Sequence, residues 1–168
     1  VTVTTVDPST GEPLAIYEET TAEELDQLLD RARVAAQGWG RTPATERAAG
    51  LRRLADALRE RQEELAGLAT AEMGKPLVES RAEVEKCART CEWYAEHAPA
   101  FLGPETVVTE ALRSLVVPVP LGVLFAIMPW NFPYWQVVRA LAPALAAGNV
   151  VVLKHAPRRP GVHWLSQN

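Results

Sequence analysis

"AIMPWNFPYWQVVRALAPALAAGNVVVLKHAP" occupies residues 126–157 and decides the fold. It opens inside "VLFAIM", residues 123–128, a continuous apolar run of strand length, as expected for a parallel strand covered on both faces. "WQVVRALAPALAAGN" then reads as a helix closed by Gly148 and Asn149 despite the internal Pro143. "VVVLK", residues 150–154, is a second buried strand. Strand, helix and strand in that order make a βαβ unit, the seed of a doubly wound, Rossmann-like sheet in an α/β fold. Ligands of such sheets sit outside the carboxyl ends of the strands, and Asn131 and Lys154 both fall there.

Each of these two residues has two readings. The amide of Asn131 is a neutral hydrogen-bond donor suited to an alkoxide developing on a carbonyl oxygen. Asparagine also caps helices well, which spacing alone favours here, and the roles are compatible. Lys154 offers three donors to ribose hydroxyls or a positive charge to a 2′-phosphate, or else is an ordinary solvated strand end. No G-x-G-x-x-G loop occurs in the chain, so the common dinucleotide fingerprint is absent.

Working outward, the first half reads as helices. "TAEE" from Thr21 fits a capping box, and Leu25, Leu28, Leu29, Ala32, Ala36 and Trp39 follow at helical spacing. Thr42 and Pro43 look like the N-cap and first position of a longer helix that ends at "MGKP", where Gly74 suits a left-handed cap. A third helix runs to about Ala98, with Val84, Cys87, Ala88, Cys91 and Ala95 on one stripe. Beyond Pro104, "TVVTEALRSLVVPV", residues 106–119, is rich in β-branched residues and suits an extended arm or edge strands.

The totals bound the function classes. At 168 residues, 48% hydrophobic and 23% charged, the chain is long enough for one domain with a real core. The formal charge is −4 with basic residues scattered, which argues against a nucleic-acid partner. Arg139 and Pro143 interrupt the most apolar stretch, so no membrane span is expected. No signal peptide is visible and the first residue is not Met, so a processed or trimmed start is expected. The two cysteines make no disulfide framework, and cytoplasm is the expected compartment. Cys87 and Cys91 lie on the apolar stripe as structural thiols, and His97, His155 and His163 show no metal-ligand spacing.

The stretch "PLGVLFAIMPWNFPYWQVVRALAPALAAGNVVVLKHAP" resembles the aldehyde dehydrogenase superfamily, with its P-W-N-F-P turn and G-N-x-V-V-x-K strand. The likeness extends upstream through "DPSTGEPL", "EMGKP" and "WYAEHAP", about residues 6–157, and is greatest to the bacterial NAD(P)-dependent succinate-semialdehyde dehydrogenases. The resemblance implies the N-terminal part of that fold, an aldehyde substrate, NAD or NADP as cofactor, and a homo-oligomer in the full-length form. Asn131 matches the amide that donates to the oxyanion formed when a cysteine attacks the aldehyde. Ile127, Met128, Pro129 and Trp130 match the segment lining the nicotinamide-ribose side of the cofactor. Lys154 matches the adenosine-ribose lysine, with His155, Ala156 and Pro157 beside it. Members that favour NAD often carry Glu at the place of Pro157, so the cofactor choice stays open. Arg139, inside an otherwise apolar helix, matches a substrate-carboxylate anchor, or is a surface arginine. Trp135 and Tyr134 would line the aldehyde funnel, or pack in the core.

By the same resemblance, residues 1–157 are a partial cofactor-binding domain in which 106–119 is an oligomerisation arm, and "RRPGVHWLSQN", residues 158–168, diverges. The catalytic domain, with its nucleophilic Cys and general-base Glu, is expected to be missing. Such a fragment is expected to be inactive alone and to leave strand edges and apolar faces bare. Two other readings remain open: a dehydrogenase for a different aldehyde, and a non-catalytic remnant that keeps nucleotide binding or subunit association.

Overall fold

The computed structural model describes residues 2–156. It opens with an antiparallel hairpin absent from the helical reading of the first half. Strands β1 (Thr2–Val6) and β2 (Pro13–Glu18) pair across the "DPSTG" turn, where the Asp7 carboxylate accepts from the Ser9 backbone N–H at 2.7 Å. "TVTTV" is a β-branched run bounded by turn residues, so the signal for a strand was present.

Helix α1 (Ala22–Trp39) begins with the anticipated capping box, Thr21 and Glu24 satisfying each other's backbone N–H. Its apolar stripe is poorly covered, with Ala32 buried and Leu25 exposed. The expected long second helix is two: α2 (Ala44–Glu60) and α3 (Gln62–Met73), broken at Arg61. Pro43, not Thr42, takes the N-cap position, because the Thr42 hydroxyl instead donates to Gly38 O. Gly74 closes α3 in the left-handed conformation as expected. Helix α4 (Leu77–Phe101) outruns the expected end at Ala98. Its stripe of Ala88, Cys91 and Ala95 is fully covered, and these small residues let α2 lie close along it.

The arm after α4 holds one short antiparallel pair, β3 (Glu105–Thr106) and β4 (Leu115–Val116). Val108, Leu112, Val119 and Leu121 stand in solvent along it. The decisive stretch then forms the βαβ unit: β5 (Val123–Ile127), α5 (Trp135–Ala146) and β6 (Val150–Lys154). β5 and β6 are parallel and in register from Val123↔Val150 to Ile127↔Lys154. Strand β6 is buried or half-buried from Val150 to Leu153, whereas β5 is not covered on both faces, contrary to expectation. Phe125 and Ile127 are 61% and 65% exposed, left uncovered by the described residues.

The C-terminal end of α5 shows how the unit is tied down. Its last four carbonyls have no partners within an ideal helix. Here Pro143 O accepts from Ala147 N, Ala144 O from Asn149 N and Leu145 O from Gly148 N. Trp39 Nε1 adds a 2.9 Å bond to Leu145 O, and buried Arg47 donates Nε to Ala146 O at 2.9 Å. Gly148 turns at φ +87, where a Cβ would meet Pro120 Cγ at 2.9 Å, so only glycine fits. Asn149 Oδ1 accepts from Leu121 N and Gly122 N, stapling the entry of β5 beside that of β6.

Arg47 therefore holds the helix end from a neighbouring helix, and its cation suits the negative end of the α5 dipole. We expect Arg47→Met, which keeps the apolar stem, to lower unfolding stability by about 2–3 kcal/mol through its lost charged hydrogen bonds, read as a reduced urea midpoint at unchanged m.

Candidate functional site

The opposite end of α5 is capped from outside the helix as well. Its first backbone N–H groups lack carbonyl partners, and the N-cap residue, Tyr134, offers no side-chain cap. The carboxylate of Glu83, on α4 and 4% exposed, fills the gap. Its Oε1 accepts from Tyr134 N and from Trp135 N, both at 2.9 Å. Gln136 N reaches Phe132 O, and Pro133 has no N–H to satisfy. The negative charge also suits the positive end of the helix dipole. Lys75 pairs with the other oxygen, Oε2, and lies 4.5 Å from the Phe132 ring centroid.

Tyr134 adds a second anchor. Its ring is 1% exposed and its hydroxyl donates to Leu65 O at 2.7 Å. Burial, helped by the charges of Glu72 and Glu83, raises the phenol above its ordinary range and keeps it a neutral donor. Tyr134 is thus an anchor in the core, not a wall of a substrate funnel. Trp135 is half-buried against the same core, with Lys86 Nζ 3.7 Å from its ring centroid.

Between the two ends, the strand register brings the predicted cofactor residues to one rim. Ile127 is paired with Lys154, and Met128 N donates to Lys154 O at 3.1 Å. The "PWN" turn leaves β5 directly beside the strand end that carries Lys154, His155 and Ala156. Ile127 and Trp130 are exposed, and Met128, His155 and Ala156 are half-buried. Lys154 is exposed, its ammonium donating to His155 O at 3.3 Å. Pro157 lies outside the described residues. Asn131 is exposed and has no hydrogen bond to the described residues. Glu83 holds the N-terminus of α5, so the capping reading of Asn131 is not realised and its amide faces water. Arg139 is exposed on α5 with no ion pair among the described residues, which corrects any view of it as a buried guanidinium. An apolar recess of about 380 Å³ lined by Trp39, Leu54, Leu145 and Val150 does not include the rim residues.

The sequence from residue 1 to 167 matches the profile of the aldehyde dehydrogenase family. The chain belongs to the aldehyde dehydrogenase family. It is 44% identical over 156 residues to the NAD(P)+ succinate semialdehyde dehydrogenase Sad of Escherichia coli (strain K12), covering 93% of this chain and 34% of that protein. It is 45% identical over 156 residues to the NADP(+) succinate-semialdehyde dehydrogenase of Deinococcus radiodurans, covering 93% and 33%. The crystal structure of succinic semialdehyde dehydrogenase from Streptococcus pyogenes in complex with NADP+ superposes with a TM-score of 0.90 at 34% identity, covering 97% of this chain and 36% of that one. The chain thus spans about a third of the length of these relatives. The family match takes in residues 158–167, which the sequence reading set apart as divergent.

Both cysteines of this family member are core residues. Cys87 and Cys91 are fully buried, and burial raises both thiols, that of Cys91 to about 12. Neither is a nucleophile at neutral pH. Among the described residues, no group of three or more His, Cys, Asp or Glu could hold a metal ion, and no helix is long and apolar enough to cross a membrane.

Two residues that organise the site were missed by the sequence reading, Glu83 and Arg47, while Asn149 was read as a helix end and not as the staple between Leu121 and Gly122. Glu83 and Arg47 carried a usable signal, since each interrupts the apolar stripe of its helix, beside Val84 and Ala48. A charge on a buried stripe calls for a buried partner.

Proposed function

We propose that this chain is the N-terminal part of an NAD(P)-dependent aldehyde dehydrogenase that oxidises succinic semialdehyde to succinate. The observation that carries this reading is the shared rim, where the Ile127–Asn131 turn and Lys154 meet at the carboxyl ends of two parallel strands. The names of the relatives in Escherichia coli and Deinococcus radiodurans support the substrate and the cofactor class.

The rim fits a dinucleotide chemically. Exposed Ile127 and the half-exposed Trp130 indole offer apolar surface to a planar ring, and the Lys154 ammonium suits ribose hydroxyls or a 2′-phosphate. Ile127, Met128, Pro129 and Trp130 would hold one end of the cofactor, and Lys154, His155, Ala156 and Pro157 the other. When bound, NAD(P)+ supplies the hydride acceptor. Asn131 presents its amide N–H to the carbonyl oxygen of the aldehyde, where negative charge builds as a nucleophile attacks. That nucleophile lies outside this chain, because Cys87 and Cys91 are sealed in the core.

Arg139 is the candidate anchor for the distal carboxylate of the substrate, with its exposed guanidinium uncommitted to any described residue. Trp135 borders the same face of α5. Residues 1–157 then form part of a cofactor-binding domain. The exposed valines and leucines of residues 106–119 serve association with a like subunit.

The purified 168-residue chain is expected to turn over no succinic semialdehyde with NAD+ or NADP+; measurable turnover would place the nucleophile within it. In the full-length gene product, Asn131→Ala is expected to lower kcat by about 100- to 1,000-fold with a small change in KM for the cofactor. Arg139→Ala is expected to raise KM for succinic semialdehyde at least tenfold, roughly the loss of one charged contact, while sparing a neutral aldehyde of similar size. Equal losses on both aldehydes would remove the carboxylate anchor and favour a different substrate.

A further inference from the structure

We infer that Glu83 is a positioning residue for Asn131, acting through the turn that joins β5 to α5. This inference rests on the oxyanion role proposed for Asn131. The geometry behind it is the number of fixed points around an amide that has none of its own. On one side, Met128 N is bonded to Lys154 O, fixing the exit of β5. On the other, Glu83 Oε1 grips Tyr134 N and Trp135 N at 2.9 Å, and Lys75, paired to Oε2, sits beneath the Phe132 ring. Five residues, 129–133, run between these hydrogen-bonded points, and Pro129 and Pro133 each restrict their own backbone.

Asn131 makes no hydrogen bond to the described residues, so its position is inherited from its neighbours in the turn, and on its helix side from the Glu83 clamp. The first clamp belongs to the sheet register and is shared with the cofactor rim. The second depends on one carboxylate that reaches from α4 and touches no part of the rim. Shortening that reach frees the turn on the Asn131 side without disturbing Ile127 or Lys154. A misplacement of about 1 Å in a group that meets the reacting atoms costs up to about 100-fold in rate.

Two substitutions separate reach from charge. Glu83→Asp keeps the charge for Lys75 but withdraws the oxygens from both backbone N–H groups. Glu83→Gln keeps an acceptor in reach but gives up the ion pair. A positioning role predicts that Asp harms kcat more than Gln; an ion pair that serves only stability predicts the reverse order, in Tm and in kcat together.

The test measures kcat, KM for succinic semialdehyde and KM for NADP+ in the full-length gene product, with Tm recorded for each variant. Glu83→Asp is expected to lower kcat by about 10- to 100-fold, with KM for NADP+ within about twofold of wild type. Glu83→Gln is expected to lose less. In an Asn131→Ala background, both Glu83 substitutions are expected to leave kcat unchanged, since there is no amide left to position. Losses at the two sites that multiply would overturn the inference while leaving the oxyanion role intact. An Asn131→Ala enzyme with wild-type kcat would instead remove the role itself. If Glu83→Asp does not fold, the cycle of Glu83→Gln with Asn131→Ala gives the same decision.

Discussion

A buried carboxylate that accepts two backbone N–H groups holds the structure together where it matters. Glu83 only accepts, and it supplies the N-terminal cap that the α5 sequence lacks. Arg47 does the converse at the other end. A helix whose two termini are met by opposite charges from two other helices cannot slide along its axis without breaking one of them. Both charges sit where the helix dipole favours them, so burial is offset at each end by hydrogen bonds and by the dipole. The crossover helix is thereby locked to the α2–α4 layer, and the strands on either side of it inherit their positions.

This arrangement explains why the rim stays defined although the sheet has two strands among the described residues. An isolated pair of parallel strands has little stability of its own. Here the pair is held by its entry and exit points. Asn149 staples the two strand starts together, Gly148 lets the chain turn under Pro120, and Tyr134 fixes the start of α5 to Leu65. The face bearing Phe125 and Ile127 stays open to solvent.

Much of this was readable from residue patterns. The βαβ unit, the Gly148 turn, the Thr21 capping box and the structural cysteines all follow from local rules, because each depends on neighbours within a few positions. What escaped was partly local and partly long-range. The N-terminal hairpin was lost because a short β-branched run before a strongly helical region was not weighed as a strand. The break at Arg61 was invisible since polar composition continues across it in "LRERQEELA" without Gly or Pro. Coverage of β5 on both faces depends on packing that the described residues do not supply. Glu83 and Asn131 lie 48 residues apart, and no periodicity links them. The amide was legible as a polar group at a strand end, whereas the carboxylate that stabilises its turn was legible only as an anomaly on a buried stripe.

Amide hydrogen exchange at Tyr134 and Trp135 tests the central claim most directly. N–H groups in the first turn of a helix have no carbonyl partner and ordinarily exchange quickly. If Glu83 grips them, both amides exchange as slowly as those in the middle of α4, with opening tied to loss of the surrounding core. Exchange at the rate of frayed helix termini, with the rest of α5 protected, would contradict the account and leave the turn that carries Asn131 without its restraint.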